Sequence, residues 1–200
     1  MSQNHGILFE NQLKSAFPGS LDAPPCPTAV FDISAQYDKN IGIPTSIKTT
    51  GNRNVCMGDA RRIFSYQNDF RLLVLQYKQN GDIKDPVRLY EFNVKKDEWE
   101  KLRGALTIEE VSKLHETIRL IPIGSHAQGR KSIKVIKKEL IEGKECQIRL
   151  NQKIGSDNQR RLQCSVPLQT LIDNIENTAI FDDVSYRNVP INAVKSTKRK

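Results

Sequence analysis

The sequence lacks the features that mark several common classes of protein. Its four cysteines and three histidines are scattered, and no two cysteines stand in a C-x-x-C spacing, which argues against a zinc site or a disulfide framework. No apolar run approaches the roughly 18–20 residues of a membrane span, and the N-terminus has no signal-peptide pattern. We therefore expect a cytoplasmic protein with no membrane partner.

Acidic residues are also few in relation to basic ones. Thirty-one Lys and Arg residues against twenty-three Asp and Glu give a formal net charge of +8. Such an excess favours a polyanionic partner, because neutralised phosphates release condensed counterions. Part of the excess lies in a basic tail at 194–200. The 200 residues, 38% hydrophobic and 27% charged, suit one globular domain with a core of its own.

The spacing of apolar residues predicts the order of helices and strands. Helices are predicted at 5–17 and 57–66, in pieces between 96 and 143, and at 167–175; strands are predicted at 28–34, 43–50, 70–78 and 86–94. The segment 145–166 alternates and turns at G-S-D-N, which predicts a hairpin. This order predicts an α/β (α+β) domain with a mixed β-sheet flanked by helices and a C-terminal hairpin.

Two of the predicted strands carry an acid and a lysine. Asp32 lies in T-A-V-F-D-I, and Lys48 lies in I-P-T-S-I-K-T-T. Hydrolysis of a phosphodiester requires a positioned water and neutralisation of developing negative charge, and Mg²⁺ held by carboxylates supplies much of this. A nearby lysine can orient or activate the water. The two residues would provide this minimum set; the plain alternative is a solvated ion pair.

Four elements, G-I-L-F-E-N-Q-L, V-F-D-I, S-I-K-T-T and N-V-C-M-G-D-A-R-R-I-F, resemble in this order those of the PD-(D/E)XK nuclease superfamily. The superfamily includes most type II restriction endonucleases, and the resembling part covers residues 6–64. The resemblance implies a restriction-endonuclease-like fold in which Asp32 binds the metal and Lys48 is the motif lysine. It also implies that Glu10 is a supporting acid on the first helix and that the carbonyl of Ile47 is a further metal ligand.

The sequence departs from the superfamily at Ser46, which stands where the second acid normally lies. Some restriction endonucleases also have S-x-K and take the missing acid from the following helix. Asp59, at the start of the predicted helix after Lys48, would be the substitute, with Glu10 or Asp38 as further candidates. As the alternative, Asp59 is an ordinary helix N-cap, and both roles could coexist.

The predicted hairpin carries residue types that suit the edges of DNA bases. Arg can bridge two acceptors on guanine, and Asn or Gln can pair with adenine. The lysines of the preceding R-K-S-I-K-V-I-K-K would suit phosphates. The plain alternative is a solvated hairpin beside a basic helix face. The candidate DNA-binding residues are Arg149, Asn151, Gln152, Lys153, Asn158, Gln159, Arg160, Arg161 and Gln163.

Together, the resemblance and the charge predict a Mg²⁺-dependent, sequence-specific double-stranded DNA endonuclease of the type II restriction class, prokaryotic or phage. The single nuclease domain, 1–200, would comprise a catalytic core at about 5–95, a helical and DNA-recognition part at about 96–180 and the basic tail. A chain with one active site would act as a homodimer to cut both strands. The alternatives are a structure-specific phage or repair nuclease, such as a junction resolvase, and a non-catalytic DNA-binding protein on a nuclease-like scaffold.

Overall fold

The computed structural model describes residues 4–20, 31–38, 42–156 and 159–195, with side chains from residue 6 onward. These residues form a mixed α/β protein with six helices. The helices are α1 (Asn4–Lys14), α2 (Ala60–Phe64), α3 (Lys96–Arg103), α4 (Ile108–Arg119), α5 (His126–Ile141) and α6 (Leu168–Asn174). The strands are β1 (Thr45–Thr50), β2 (Asn54–Asp59), β3 (Phe70–Asn80), β4 (Ile83–Val94), β5 (Arg149–Ile154), β6 (Arg160–Pro167), β7 (Thr178–Phe181), β8 (Ser185–Tyr186), β9 (Val189–Pro190) and β10 (Val194–Lys195).

The central sheet is mixed, as the sequence predicts. Its five strands run in the order β1-β3-β4-β10, with β7 also paired to β4. Strand β1 is parallel to β3 and lies at the edge, whereas the other pairings are antiparallel. Strand β3 begins with the apolar run that predicts it, and its side chains from Phe70 to Leu75 are buried on both faces of the sheet.

A second, three-stranded antiparallel sheet has the order β2-β6-β5. Strands β5 and β6 are the predicted hairpin, now seen to be joined by β2 along the far side of β6. Strand β2 contains a bulge between Cys56 and Gly58, and Gly58 has a positive φ of 97°. That backbone conformation favours glycine, because it has no Cβ to clash.

Two hydrophobic cores lie on the two faces of the central sheet. The larger core joins the sheet residues Leu72, Val74 and Phe92 to the inner face of the small sheet and to helices α2, α3, α4 and α6. The smaller core packs Phe9 and Leu13 of α1 against the opposite face of the central sheet. Each large apolar side chain buried in this way contributes about 1.5–3 kcal/mol. The two cores thus place helices on both faces, as predicted.

A buried ion cluster lies in the smaller core. Arg71 of β3 is fully buried and forms ion pairs with the fully buried Asp38 and, at 2.9 Å from its Nε, with Glu91. Arg187, in the two-residue turn between β8 and β9, donates to Asp38 at 3.1 Å and stacks 4.4 Å from the ring centre of Phe17. Burial alone raises the pKa of Asp38, but the bonds from both guanidinium groups hold it below its ordinary value.

Two expectations about these elements need correction. Of the strand predicted at 28–34, residues 31–34 form only an isolated bridge between Ile33 and Thr45, and 28–30 lie outside the described residues. The helix predicted at 57–66 begins at Ala60, because 57–59 end strand β2. The pairing of β2 with β6, more than one hundred positions later, is a tertiary interaction that local patterns do not report.

The helices predicted between 96 and 143 are confirmed as α3, α4 and α5. Thr107 and Glu110 begin α4 with a reciprocal capping box, in which each side chain accepts a bond from the other residue's backbone N–H. Within the described residues, no helix combines the length and the apolarity that a membrane crossing requires.

Candidate functional site

Strand β1 positions the lysine by simple alternation. Ser46 and Lys48 project to one face of the central sheet, whereas Ile47 between them is buried on the other face with α1. Because β1 is an edge strand, the backbone of Ile47 has an N–H and a carbonyl that the neighbouring strand β3 does not use on that side. These edge groups are available to a side chain from another segment.

Asp32 is the side chain that fills this edge. Its Oδ2 accepts hydrogen bonds from the backbone N–H of Ile47 at 2.6 Å, from Ser46 Oγ at 3.1 Å and from Lys48 Nζ at 3.1 Å. The bridge between Ile33 and Thr45 fixes the backbone next to Asp32. The carboxylate therefore caps the sheet edge from a short extended segment rather than from a strand.

The protonation of Asp32 follows from these contacts. Burial by itself raises the pKa of the carboxyl group, but the charge of Lys48 and the hydrogen bonds from Ile47, Lys48 and Ser46 together lower it below its ordinary value. The group is therefore an anion at neutral pH. Within the residues that the structure describes, no hydrogen bond reaches its other oxygen, Oδ1.

Lys48 completes a compact polar centre. Its Nζ lies 3.1 Å from Asp32 Oδ2 and 2.9 Å from the carbonyl oxygen of Ile47. The lysine side chain is 14% exposed and the aspartate side chain 27% exposed, so the centre is open to solvent on one side. A carboxylate oxygen and a backbone carbonyl oxygen thus converge on one cationic position. Oxygen atoms of these two kinds are the ligands that Mg²⁺ accepts in proteins.

Tyr66 belongs to this centre, although no sequence pattern points to it. It follows α2, packs against Phe31 and Phe70 with ring centres 4.6 and 5.0 Å away, and shares a side-chain hydrogen bond with Ser46. Burial raises the pKa of Tyr66 to about 12, so the phenol stays protonated. Tyr66 ties the end of α2 to the strand that carries Lys48.

Asp59 lies at the start of α2, as predicted. Its carboxylate accepts the backbone N–H of Arg62 at 3.2 Å, which confirms the N-cap interpretation. The side chain is 38% exposed and lies 3.9 Å from Arg61 Nε. In strand β2, Asp59 is the register partner of Gln163. The metal-binding interpretation of Asp59 stays a prediction.

The other candidate acids are engaged elsewhere. Glu10 forms an ion pair with Lys14 one helical turn away, at 2.6 Å. Asp38 is buried against Arg71, the register partner of Thr45, and therefore lies on the face opposite Ser46 and Lys48. No group of three or more His, Cys, Asp or Glu side chains that could hold a metal occurs in the described part of the chain. The structure thus brings together Asp32, Ser46, Ile47 and Lys48, but not Glu10 or Asp38.

The candidate DNA-binding residues divide between the two faces of the small sheet. The register pairs Arg149 with Ser165, Asn151 with Gln163 and Lys153 with Arg161, and partners in a register share a face. That face points away from the larger core. Gln152 and Arg160 project to the inner face, Gln159 precedes β6, and Asn158 lies outside the described residues.

Arg160 has a structural role instead of the base-reading role that its residue type suggests. Its guanidinium donates to the carbonyl oxygens of Ile121 at 2.9 Å, Pro122 at 3.0 Å, and Gly155 and Gln159 at 2.8 Å each. It thereby fastens the loop between α4 and α5 to the tip of the hairpin. Since its donors are already satisfied, we exclude Arg160 from the candidate DNA contacts.

We expect Arg160→Ala to lower the free energy of unfolding by about 1–2 kcal/mol, because several carbonyls lose a charged donor at a partly exposed site. Arg161→Ala, at the neighbouring exposed position, is the matched control and should change stability by less than about 0.5 kcal/mol. Chemical denaturation of the two variants measures the difference. Equal stabilities would contradict the structural role of Arg160.

Comparisons with known proteins add no assignment to this geometry. No protein-family model, no curated protein and no solved structure matches the chain. The resemblance to PD-(D/E)XK nucleases therefore stays a prediction from the sequence elements at residues 6–64.

Proposed function

We propose that this protein is a Mg²⁺-dependent endonuclease that hydrolyses phosphodiester bonds in double-stranded DNA. The observation that carries the proposal is the convergence of Asp32 Oδ2 and the Ile47 carbonyl oxygen on one cationic position, 3.1 and 2.9 Å from Lys48 Nζ. The order of α1, the acid, the lysine strand and α2 along the chain supports the finer assignment to a restriction-endonuclease-like fold.

The residues present fit a magnesium ion. Mg²⁺ usually keeps several waters and binds through one or two carboxylates together with substrate phosphates. Lys48 Nζ occupies the position between Asp32 Oδ2 and the Ile47 carbonyl, so these two oxygens would hold the ion with the ammonium shifted to one side. Asp59 would supply a second carboxylate in place of the neutral Ser46. When bound, the ion would neutralise charge on the phosphate that is cut.

Lys48 and Ser46 have separate tasks in this proposal. The ammonium of Lys48, held beside both oxygens, would orient the attacking water and offset the negative charge that develops in the transition state. Ser46 donates to Asp32 and shares a hydrogen bond with Tyr66, so it is a positioning residue for the carboxylate. The lowered pKa of Asp32 keeps the carboxylate charged and ready for a cation at neutral pH.

Duplex DNA as the substrate is supported by the net charge of +8 and by the basic outer side of the small sheet. Sequence-specific cutting of the type II restriction class remains the preferred reading. One centre per chain cuts one strand, so a homodimer would be needed to cut both.

Incubation of the purified protein with supercoiled plasmid, in Mg²⁺ and in EDTA, tests the proposal. Discrete fragments that require Mg²⁺ would support a restriction enzyme, whereas nicking of branched DNA alone would support a structure-specific repair or phage nuclease. The expected result is discrete Mg²⁺-dependent fragments. The absence of cleavage across varied DNA substrates would overturn the catalytic proposal.

A second candidate function is DNA binding without catalysis. The observation that favours it is the lack, in the described residues, of a group of three metal-binding side chains around the Asp32–Lys48 pair. In that case the pair would be a plain ion pair that closes the edge of β1. Protein that binds duplex DNA but does not cut it would select this candidate.

A further inference from the structure

We infer that the outer face of the small sheet is the surface that holds double-stranded DNA. Different residues of this face contact the DNA bases and the DNA phosphates. The outer face is defined here by Arg149, Asn151 and Lys153 of β5 and by Arg161 and Gln163 of β6. The inference deepens the proposed function, since it names the surface for the same substrate, and it rests on that function for the choice of DNA.

The outer face is ordered in three cross-strand ranks. Lys153 and Arg161 form the rank nearest the hairpin tip, Asn151 and Gln163 form the middle rank, and Arg149 lies opposite Ser165 in the third. Strand β2 pairs with β6 only up to Gln163, so the sheet narrows to a two-stranded ribbon at the first rank. The major groove of DNA is wide enough to admit such a ribbon.

The first rank indicates an anionic ligand. Lys153 and Arg161 are direct register partners and both are exposed, and like charges in that position destabilise a sheet. Among the residues described, neither cation has a carboxylate oxygen within 4.0 Å, whereas Arg61, Arg71 and Lys95 elsewhere in the chain do. An arrangement that costs stability and has no carboxylate partner among the described residues suits an external polyanion such as the phosphate backbone.

The middle rank indicates base recognition. Asn151 Nδ2 donates to Ser165 Oγ at 2.9 Å and to the carbonyl of Arg149 at 3.2 Å, so its amide plane is fixed, both of its N–H donors are engaged, and only its Oδ1 acceptor can serve a base. Gln163 lies beside it with a second amide. The amide of Gln163 can pair with both the donor and the acceptor of adenine in the major groove, whereas Asn151 can accept a hydrogen bond from a base amino group. Two neighbouring amides between cationic ranks therefore form a candidate reading element.

Helix α5 extends the cationic surface along the edge of the sheet. Arg130 Nε and Lys137 Nζ donate to the edge carbonyls of Ile154 and Leu150, at 2.7 and 3.1 Å. These contacts block the open edge of β5 and hold α5 along that edge. The exposed lysines of α5 can then contact phosphates that flank the ribbon, namely Lys131, Lys134 and Lys138.

The outer face is also connected to the proposed active site. Strand β1, which carries Lys48, runs through residues 51–53 directly into β2 of the small sheet. Thr50 Oγ1 donates to the carbonyl of Asn54 at 2.8 Å and so fixes this connection. Asp59, at the other end of β2, lies in the middle rank beside Gln163. DNA held on the outer face would therefore have a defined position with respect to Asp32 and Lys48.

The first arm of the test measures affinity for a 30-base-pair duplex of mixed sequence, in EDTA so that cleavage plays no part. We expect Lys153→Ala/Arg161→Ala to bind at least about tenfold more weakly than the wild type and to reduce the salt slope of log K by about 2. The control, Lys101→Ala/Lys113→Ala, removes the same charge from the exposed surface of α3 and α4. It should lose less than about threefold.

The second arm measures sequence selection from a randomised duplex pool. Asn151→Ala/Gln163→Ala should keep the affinity for mixed sequence within about threefold but lose most of the wild-type sequence preference. Unchanged sequence selection by this variant would overturn the inference. So would an equal loss of duplex affinity in Lys153→Ala/Arg161→Ala and in the control Lys101→Ala/Lys113→Ala. If Lys153→Ala/Arg161→Ala loses duplex affinity but the wild type does not cleave DNA, only the nuclease proposal is overturned. If this variant binds duplex DNA normally and the wild type shows Lys48-dependent cleavage, only the assignment of the outer face is overturned.

Discussion

Replacing Lys48 with alanine is expected to lower the rate of plasmid cleavage at least about 100-fold, with little effect on DNA binding. Removing a group that acts on the attacking water or on developing charge typically costs two to four powers of ten in rate. The ammonium of Lys48 lies where both tasks can be done, within 3.1 Å of the two oxygens that would hold the metal. Rates are measured on supercoiled plasmid, and duplex affinity is measured in EDTA.

The matched control is Lys78→Ala, which removes an exposed lysine from the neighbouring strand β3 and should leave cleavage unchanged. Thermal unfolding of both variants separates a catalytic effect from a loss of fold, because Lys48→Ala also removes the positive charge that helps to lower the pKa of Asp32. Cleavage within about threefold of the wild type by folded Lys48→Ala would end the catalytic reading of the motif.

Replacing Asp59 with asparagine is expected to nearly eliminate cleavage while the protein remains folded. Asn caps a helix about as well as Asp, so the bond to the N–H of Arg62 is kept and only the charge is lost. If Asp59 replaces the acid missing at Ser46, the metal loses one of two carboxylates, and the Mg²⁺ concentration for half-maximal cleavage rises. A titration of cleavage with Mg²⁺ measures this change.

Asp69→Asn is the control for the Asp59 experiment. Asp69 also accepts a backbone N–H at the start of a helix, from Lys96 at 2.9 Å, but it is paired with Lys95 rather than placed beside the small sheet. Ser46→Glu should partly restore cleavage to Asp59→Asn by returning an acid to the usual position. Full activity of Asp59→Asn would refute the relocated acid, since the structure brings neither Glu10 nor Asp38 to the centre.

The sequence reveals those parts of the fold that local patterns determine. The apolar run after Phe70, the alternation after Arg149 and the apolar spacing between 96 and 143 predict β3, the hairpin and helices such as α4 near their observed positions. Strand β2 is missed because Asn54–Asp59 is short, contains a bulge and depends on pairing with β6. The short C-terminal strands are also missed, because β7 and β10 pair with the distant β4, and β8 and β9, which pair with each other, have only two residues each.

The candidate site is predicted in its residue types but not in its geometry. The sequence motif brings forward Asp32, Ile47 and Lys48, and the structure places them in contact. The sequence motif does not indicate that Asp32 reaches the edge of β1 from outside a strand, nor that Tyr66 hydrogen-bonds to Ser46. Likewise, Arg160 and Arg161 are indistinguishable in sequence, and only the alternation of β6 assigns one to the inner face and the other to the outer.

The ion cluster around Arg71 has a consequence for the order in which the chain is built by a ribosome. Asp38 and its partner Arg187 are separated by 149 positions, which takes about 7 to 30 seconds at ordinary rates of synthesis. During that interval Asp38 lacks its ion pair with Arg187, and the β8–β9 turn does not yet cover Phe17. The face of the central sheet that carries α1 is thus the last to close, and during translation its apolar side chains are open to chaperones and proteases.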